Sequence, residues 1–142
     1  MTFVVMGFND TTACREGWYA LERDGRNGVA CRWTQYPDAV IEFTTESALS
    51  EIVLFVCGAP ECMNVNAQVV EVCDEQSREI LCSAEVCGDL WQVCNVRLSR
   101  TLVAGRHRLV LHLSGDVYVP DRWLGNGDCR QMGIRIGGVR AN

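Results

Sequence analysis

The sequence predicts an all-β fold, an antiparallel β-sandwich of the jelly-roll kind with about eight strands, made by residues 1–142 as one domain. Three observations predict it. Short runs rich in Val, Ile, Leu, Phe and Trp recur along the chain, as half-buried strands do. Turn signals separate them: Asp24-Gly25, Asn27-Gly28, Gly58-Ala59-Pro60, Cys87-Gly88-Asp89, Ala104-Gly105 and Asn126-Gly127. No segment carries a helical pattern long enough to pack as a full helix.

The elements follow in order. Thr2–Phe8 is apolar but short and has no basic region before it, so it reads as a first strand and not as an export signal. On that reading the chain is expected in the cytoplasm, unless it was cut from a larger secreted protein. Val29–Thr34 follows Asn27-Gly28 as a strand follows a hairpin turn. Ala39–Thr44, Glu51–Cys57, Asn66–Cys73 and Leu90–Leu98 are further strands, with single helical turns expected at Thr45–Ser50 and Asp74–Glu79. His107–Leu113 alternates most clearly: His107, Leu109, Leu111 and Leu113 share one face, and Arg108, Val110 and His112 the other. The two histidines therefore point apart, which disfavours a two-histidine metal site. Gln131–Val139 closes the sheet.

Hydrophobic residues make up 48% of the chain, enough for a packed core. No apolar run approaches the roughly 18 residues that cross a bilayer, so no membrane partner is expected. The net charge of −5 argues against a nucleic-acid partner. There is no lysine, and the arginines concentrate late while the acids concentrate early. Such halves can pair across one fold. Codon bias explains the missing lysine, or else an arginine-lined site for an anionic ligand does. Nine cysteines without a C-x-x-C pair and without an export signal read as reduced structural thiols, ahead of disulfides or a metal site. Cys57/Cys62 and Cys82/Cys87 are spaced unlike common metal ligands.

The candidate site lies near the 116–130 loop, in the stretch from Gly115 to Ile136 that runs into an apolar strand. Tyr118 and Trp123, together with Trp18, Tyr19 and Tyr36, are candidate platforms for stacking on a pyranose. Asp121, Arg122, Asp128 and Arg130 would bond its hydroxyls, since binding pockets combine apolar walls with a few placed polar groups. The competing readings are structural. Trp and Tyr also serve as core residues, as expected for Trp33 and Trp91, and Asp128 would equally pair with Arg122 or Arg130. No cofactor is expected. Calcium on Asn126-Gly127-Asp128 with Asp121 or Asp116 is the alternative, without an EF-hand pattern.

Three pieces, Gly17-Trp18-Tyr19-Ala20-Leu21-Glu22, Cys31-Arg32-Trp33-Thr34 before Asp38-Ala39-Val40-Ile41, and Pro120 before Asp128-Cys129-Arg130-Gln131-Met132-Gly133-Ile134, resemble a known group in this order. These are small jelly-roll modules attached to bacterial glycosyltransferases, methyltransferases and other polysaccharide-processing proteins, similar in architecture to galactose-binding-like carbohydrate-binding domains. The resemblance implies a non-catalytic module with an oligo- or polysaccharide as ligand and a glycosyltransferase or other catalytic domain as partner. A protein–protein docking or self-association module is the alternative. No G-x-S-x-G, P-loop or G-x-G-x-x-G motif is present, and a cysteine nucleophile with one of the histidines is the remaining enzymatic reading.

Overall fold

The structure, a computed structural model, describes residues 1–60, 68–115 and 117–142. Ten strands are assigned among them: β1 Thr2–Val5, β2 Glu22–Arg23, β3 Ala30–Gln35, β4 Asp38–Thr45, β5 Leu49–Cys57, β6 Gln68–Asp74, β7 Ile80–Val86, β8 Gln92–Leu102, β9 Gly105–Ser114 and β10 Met132–Ala141. They form two sheets. One runs β2-β3-β10-β5-β8, with β1 also on β10; the other runs β4-β9-β6-β7. Each pair is antiparallel. The all-β sandwich expected from the sequence is thus what forms.

The core lies between the sheets. In β4, Ala39, Ile41, Phe43 and Thr45 are buried and their neighbours are not, the period-two pattern of a strand with one wet face. Ile52, Leu54 and Val56 of β5 meet Val70 and Val72 of β6 and Leu109, Leu111 and Leu113 of β9 in one cluster. Burying each such side chain contributes about 1.5–3 kcal/mol.

The two single helical turns expected at Thr45–Ser50 and Asp74–Glu79 do not form. Asp74 instead closes the β6–β7 turn, where its Oδ1 accepts from the amides of Gln76 and Ser77 and from the Ser77 hydroxyl. The short helices lie elsewhere, at α1 (Asp10–Ala13) and α2 (Pro120–Leu124). Strand β7 had no clear signal, because Cys82 and Ala84 on its inward face are small. The beginning of the strand expected at Asn66, and Cys62, fall outside the described residues.

The late arginines do meet the early acids. Arg108 pairs with Glu16, Glu42 and Glu75, Arg130 with Glu22, Arg135 with Asp24, and Arg100 with Glu79. The charge split in the sequence is therefore a pairing between distant segments. The exposed pairs among them add little to stability, because water screens them.

His107, on the leucine face of β9 as expected, is buried. Its Nε2 lies 2.9 Å from the Thr45 hydroxyl and its ring packs 5.7 Å from Phe43. Burial lowers its pKa below the ordinary 6.5. Unfolding lets the ring take up a proton that the fold refuses, so the stability tied to the neutral ring is complete above 6.5 and declines as pH falls from there. Urea midpoints are therefore expected to drop between about pH 7 and about pH 5.5, and to drop less in His107→Gln. Parallel pH curves for the two proteins would refute this assignment.

Candidate functional site

The late loop is built on α2. Pro120 takes the first helical position, where its missing N–H costs nothing, and Gly125 ends the helix in the left-handed region at φ 59°. Both signals were present in the sequence, although the segment read as an irregular loop. The chain then folds back on the helix. The Asp121 amide donates to Asp128 O at 2.8 Å, and Asp121 Oδ1 accepts from the Gly127 amide at 2.6 Å. Asp121 thus closes its own loop.

Asp128 and Arg130 form the second brace. Arg130 Nε and Nη2 donate to the two oxygens of Asp128 at 2.9 and 2.7 Å, and Nη1 donates to Glu22 at 3.0 Å. The Arg130 hydrogen bonds hold the Asp128 carboxyl below the usual carboxylate range. The guanidinium also lies 5.2 Å over the Tyr19 ring. Asp128 and Arg130 therefore do the work of a structural salt bridge. They tie the loop to the 17–22 segment and have little left for a ligand. The Trp18 segment and the late loop do meet at one end of the sandwich, through Tyr19, whose hydroxyl donates to Gln131 O at 3.1 Å.

Two of the expected platforms are corrected. Tyr118 is 4% exposed and packs 5.3 Å from Trp33 in a small cluster with Ala59 and Met132. Its backbone exchanges two hydrogen bonds with Met132, which draws the ring onto the sheet and away from solvent. Trp18 is half-buried against the main core, its indole N–H donating to Val40 O at 2.8 Å and its backbone bridging to Thr34. Tyr36 is also half-buried, with its hydroxyl bonded to Gly115 O.

Trp123 differs. It is 50% exposed, and no group of the described residues accepts from its indole N–H. Arg122 beside it is exposed and has no carboxylate partner among the described residues. One flat apolar face and one uncommitted guanidinium thus stand on a short helix whose ends are fixed by Pro120, Gly125 and Asp121.

Sequence reasoning missed a second polar cluster. Arg135 lies 5.0 Å from the Trp33 ring and 5.9 Å from the Trp91 ring, and its Nη1 donates to Asp24 at 3.2 Å. Its Nη2 donates to Cys57 Sγ and Gly58 O, and the Trp91 indole N–H donates to Asp24 at 2.9 Å. The available signal was a charge inside the apolar run Ile134-Arg135-Ile136. Trp33 and Trp91 are anchors here, outside the main core between the sheets.

Among the described cysteines, the buried and part-buried ones offer no activated thiol. Burial pushes Cys14 up to about 12 and Cys31 and Cys82 up to about 11, the reverse of what a nucleophile needs. Among the described residues, no group of three or more His, Cys, Asp or Glu is placed to hold a metal. Asp116, one of the residues considered for calcium, lies outside the described residues.

Known proteins resemble this chain in fold. A family 6 carbohydrate-binding module dissected for its binding sub-sites aligns with 100% of this chain and 93% of its own, at 9% identity and a TM-score of 0.59. A β-1,3-glucan-binding family 6 module from Bacillus halodurans aligns with 99% of this chain and 95% of its own, at 10% identity and a TM-score of 0.59. The chain therefore has the jelly-roll sandwich of family 6 carbohydrate-binding modules. No protein-family model matches its sequence, and no curated protein is similar to it in sequence.

Proposed function

We propose that the chain is a non-catalytic carbohydrate-binding module, an accessory domain of a bacterial protein that makes or modifies polysaccharide. The observation that carries this reading is an exposed tryptophan, Trp123, on a braced loop of a sandwich that has the family 6 module fold throughout. The indole face stacks on the C–H face of a pyranose. The free indole N–H and the Arg122 guanidinium donate to its oxygens. Asp121, Asp128 and Arg130 hold the loop in shape, so the platform is ordered before the sugar arrives and little freedom is lost on binding. The described cysteines are free thiols, which suits the reducing cytoplasm where polysaccharide precursors are assembled.

A glycan array followed by calorimetry tests the proposal, with soluble β-1,3-glucan as the first ligand because one fold neighbour binds it. Trp123→Ala is expected to weaken binding at least about ten-fold with an unchanged melting temperature, since the ring is half exposed. No retained glycan, or equal affinity in the variant, would sink the reading.

A further inference from the structure

The outer face of the larger sheet is apolar where solvent is expected. In register across four strands, Val93 of β8 lies beside Phe55 of β5, then Gly138 of β10, then Val5 of β1; the next row holds Asn95, Val53, Arg140 and Phe3. Phe3 is 51% exposed, Val5 44% and Val93 62%. These residues line a shallow groove of about 330 Å³ in which Arg140 is the one charged side chain among the described residues. A wet face of an antiparallel sheet normally alternates to polar residues, so a contiguous apolar strip there marks a contact surface.

The charges around the strip say what covers it. Arg140 and Arg97 have no carboxylate partner among the described residues, and Arg140 Nε is buried without an acceptor. The carboxylate of Glu51, on the same face of β5 two residues from Val53, accepts from the Asn142 side-chain amide and meets no cation among the described residues. Glu51 and Arg97 are cross-strand partners in register, yet their heads form no ion pair. The face thus carries leftover charges of both signs beside an apolar centre. Such a surface is complementary to itself, which a two-fold contact between identical copies requires. Among the described residues a sugar chain would find a single polar side chain in the groove, too few partners for its hydroxyls.

We propose that this face is a self-association surface on which a second copy of the chain docks about a two-fold axis. Val93, Phe55, Val5 and Phe3 meet their counterparts, and Arg140 of each copy reaches Glu51 of the other. Trp123 takes no part, so the dimer and the glycan site stand or fall separately.

Sedimentation equilibrium of the chain from about 5 to about 200 µM tests this. A reversible dimer is expected, with Val93→Asp weakening it at least about ten-fold. Arg140→Glu is expected to do the same, and Arg140→Glu with Glu51→Arg to regain the dimer. Circular dichroism melts check that each variant folds, and exposed Val93 keeps the test open if Arg140→Glu does not. A monomer throughout the range, a dimer indifferent to Val93→Asp, or a charge swap that restores nothing would overturn the proposal. So would a monomer that binds a fatty acid or an acidic apolar peptide at this face.

Discussion

Arg135→Met is expected to cost about 3–5 kcal/mol of folding stability, measured by urea denaturation, because it takes the buried cation from the Asp24 carboxylate and leaves only the half-exposed Arg26, 3.7 Å away. The side chain of Asp24 is 2% exposed and that of Arg135 is 11% exposed. The Arg26 amide is the main group holding the Asp24 carboxyl below the usual range; the Trp91 indole and the charges of Arg135 and Arg26 add to it against the opposing pull of burial. Arg135→Met also removes the guanidinium from beside the Trp33 and Trp91 rings. The 20–29 hairpin, β5, β10 and the approach to β8 all meet at this point, so the loss is felt across the sheet. Asp24→Leu combined with Arg135→Met is expected to recover much of the loss, since apolar groups of similar volume replace a buried ion pair at little cost. A single variant within about 1 kcal/mol of wild type would show the pair to be solvated in solution.

Gly17→Ala is the second large effect, expected to destabilise by more than about 3 kcal/mol or to abolish folding. Gly17 has φ 88°, and a Cβ there would collide with the Asp38 carbonyl oxygen and sit 2.7 Å from Ala39 Cα. Backbone cannot move aside as a side-chain tip can. The segment is held on both sides, with the Gln35 amide donating to Gly17 O at 2.7 Å and the Val40 amide donating to Glu16 O at 2.7 Å. Gly28→Ala is the control. Its φ of 73° carries the same conformational penalty, but a Cβ meets nothing within 4 Å, so a loss of only about 1 kcal/mol is expected. Equal melting temperatures for the two variants would show that conformation and not collision sets the cost.

Most of the sandwich was legible because alternation reports burial directly. His107–Leu113 lies inside β9, and the face it assigns to Leu109, Leu111 and Leu113 is the core face. Strand β7 escaped because small inward residues give no periodic signal, and α2 escaped because five residues hold too little pattern to outweigh the glycines around them. The site was harder. Tyr118 and Trp123 lie five positions apart in one loop, with similar neighbours. One is sealed by a bridge to Met132 and the Trp33 ring; the other stands free on a helix. Nothing local separates them, since burial depends on what the opposite strand brings.

By itself, then, the sequence determined the layered β architecture, the inward faces of its longer strands and the opposite charges of its two parts. Those properties are carried by residue type and spacing along one segment. The tertiary structure alone decided which aromatic ring is presented to solvent, which acids are spent on arginines, and which outer sheet face stays apolar. Each of these depends on contacts between residues far apart in the chain, such as Arg135 with Asp24 and Arg130 with Glu22, and those contacts exist only once the sheets have packed.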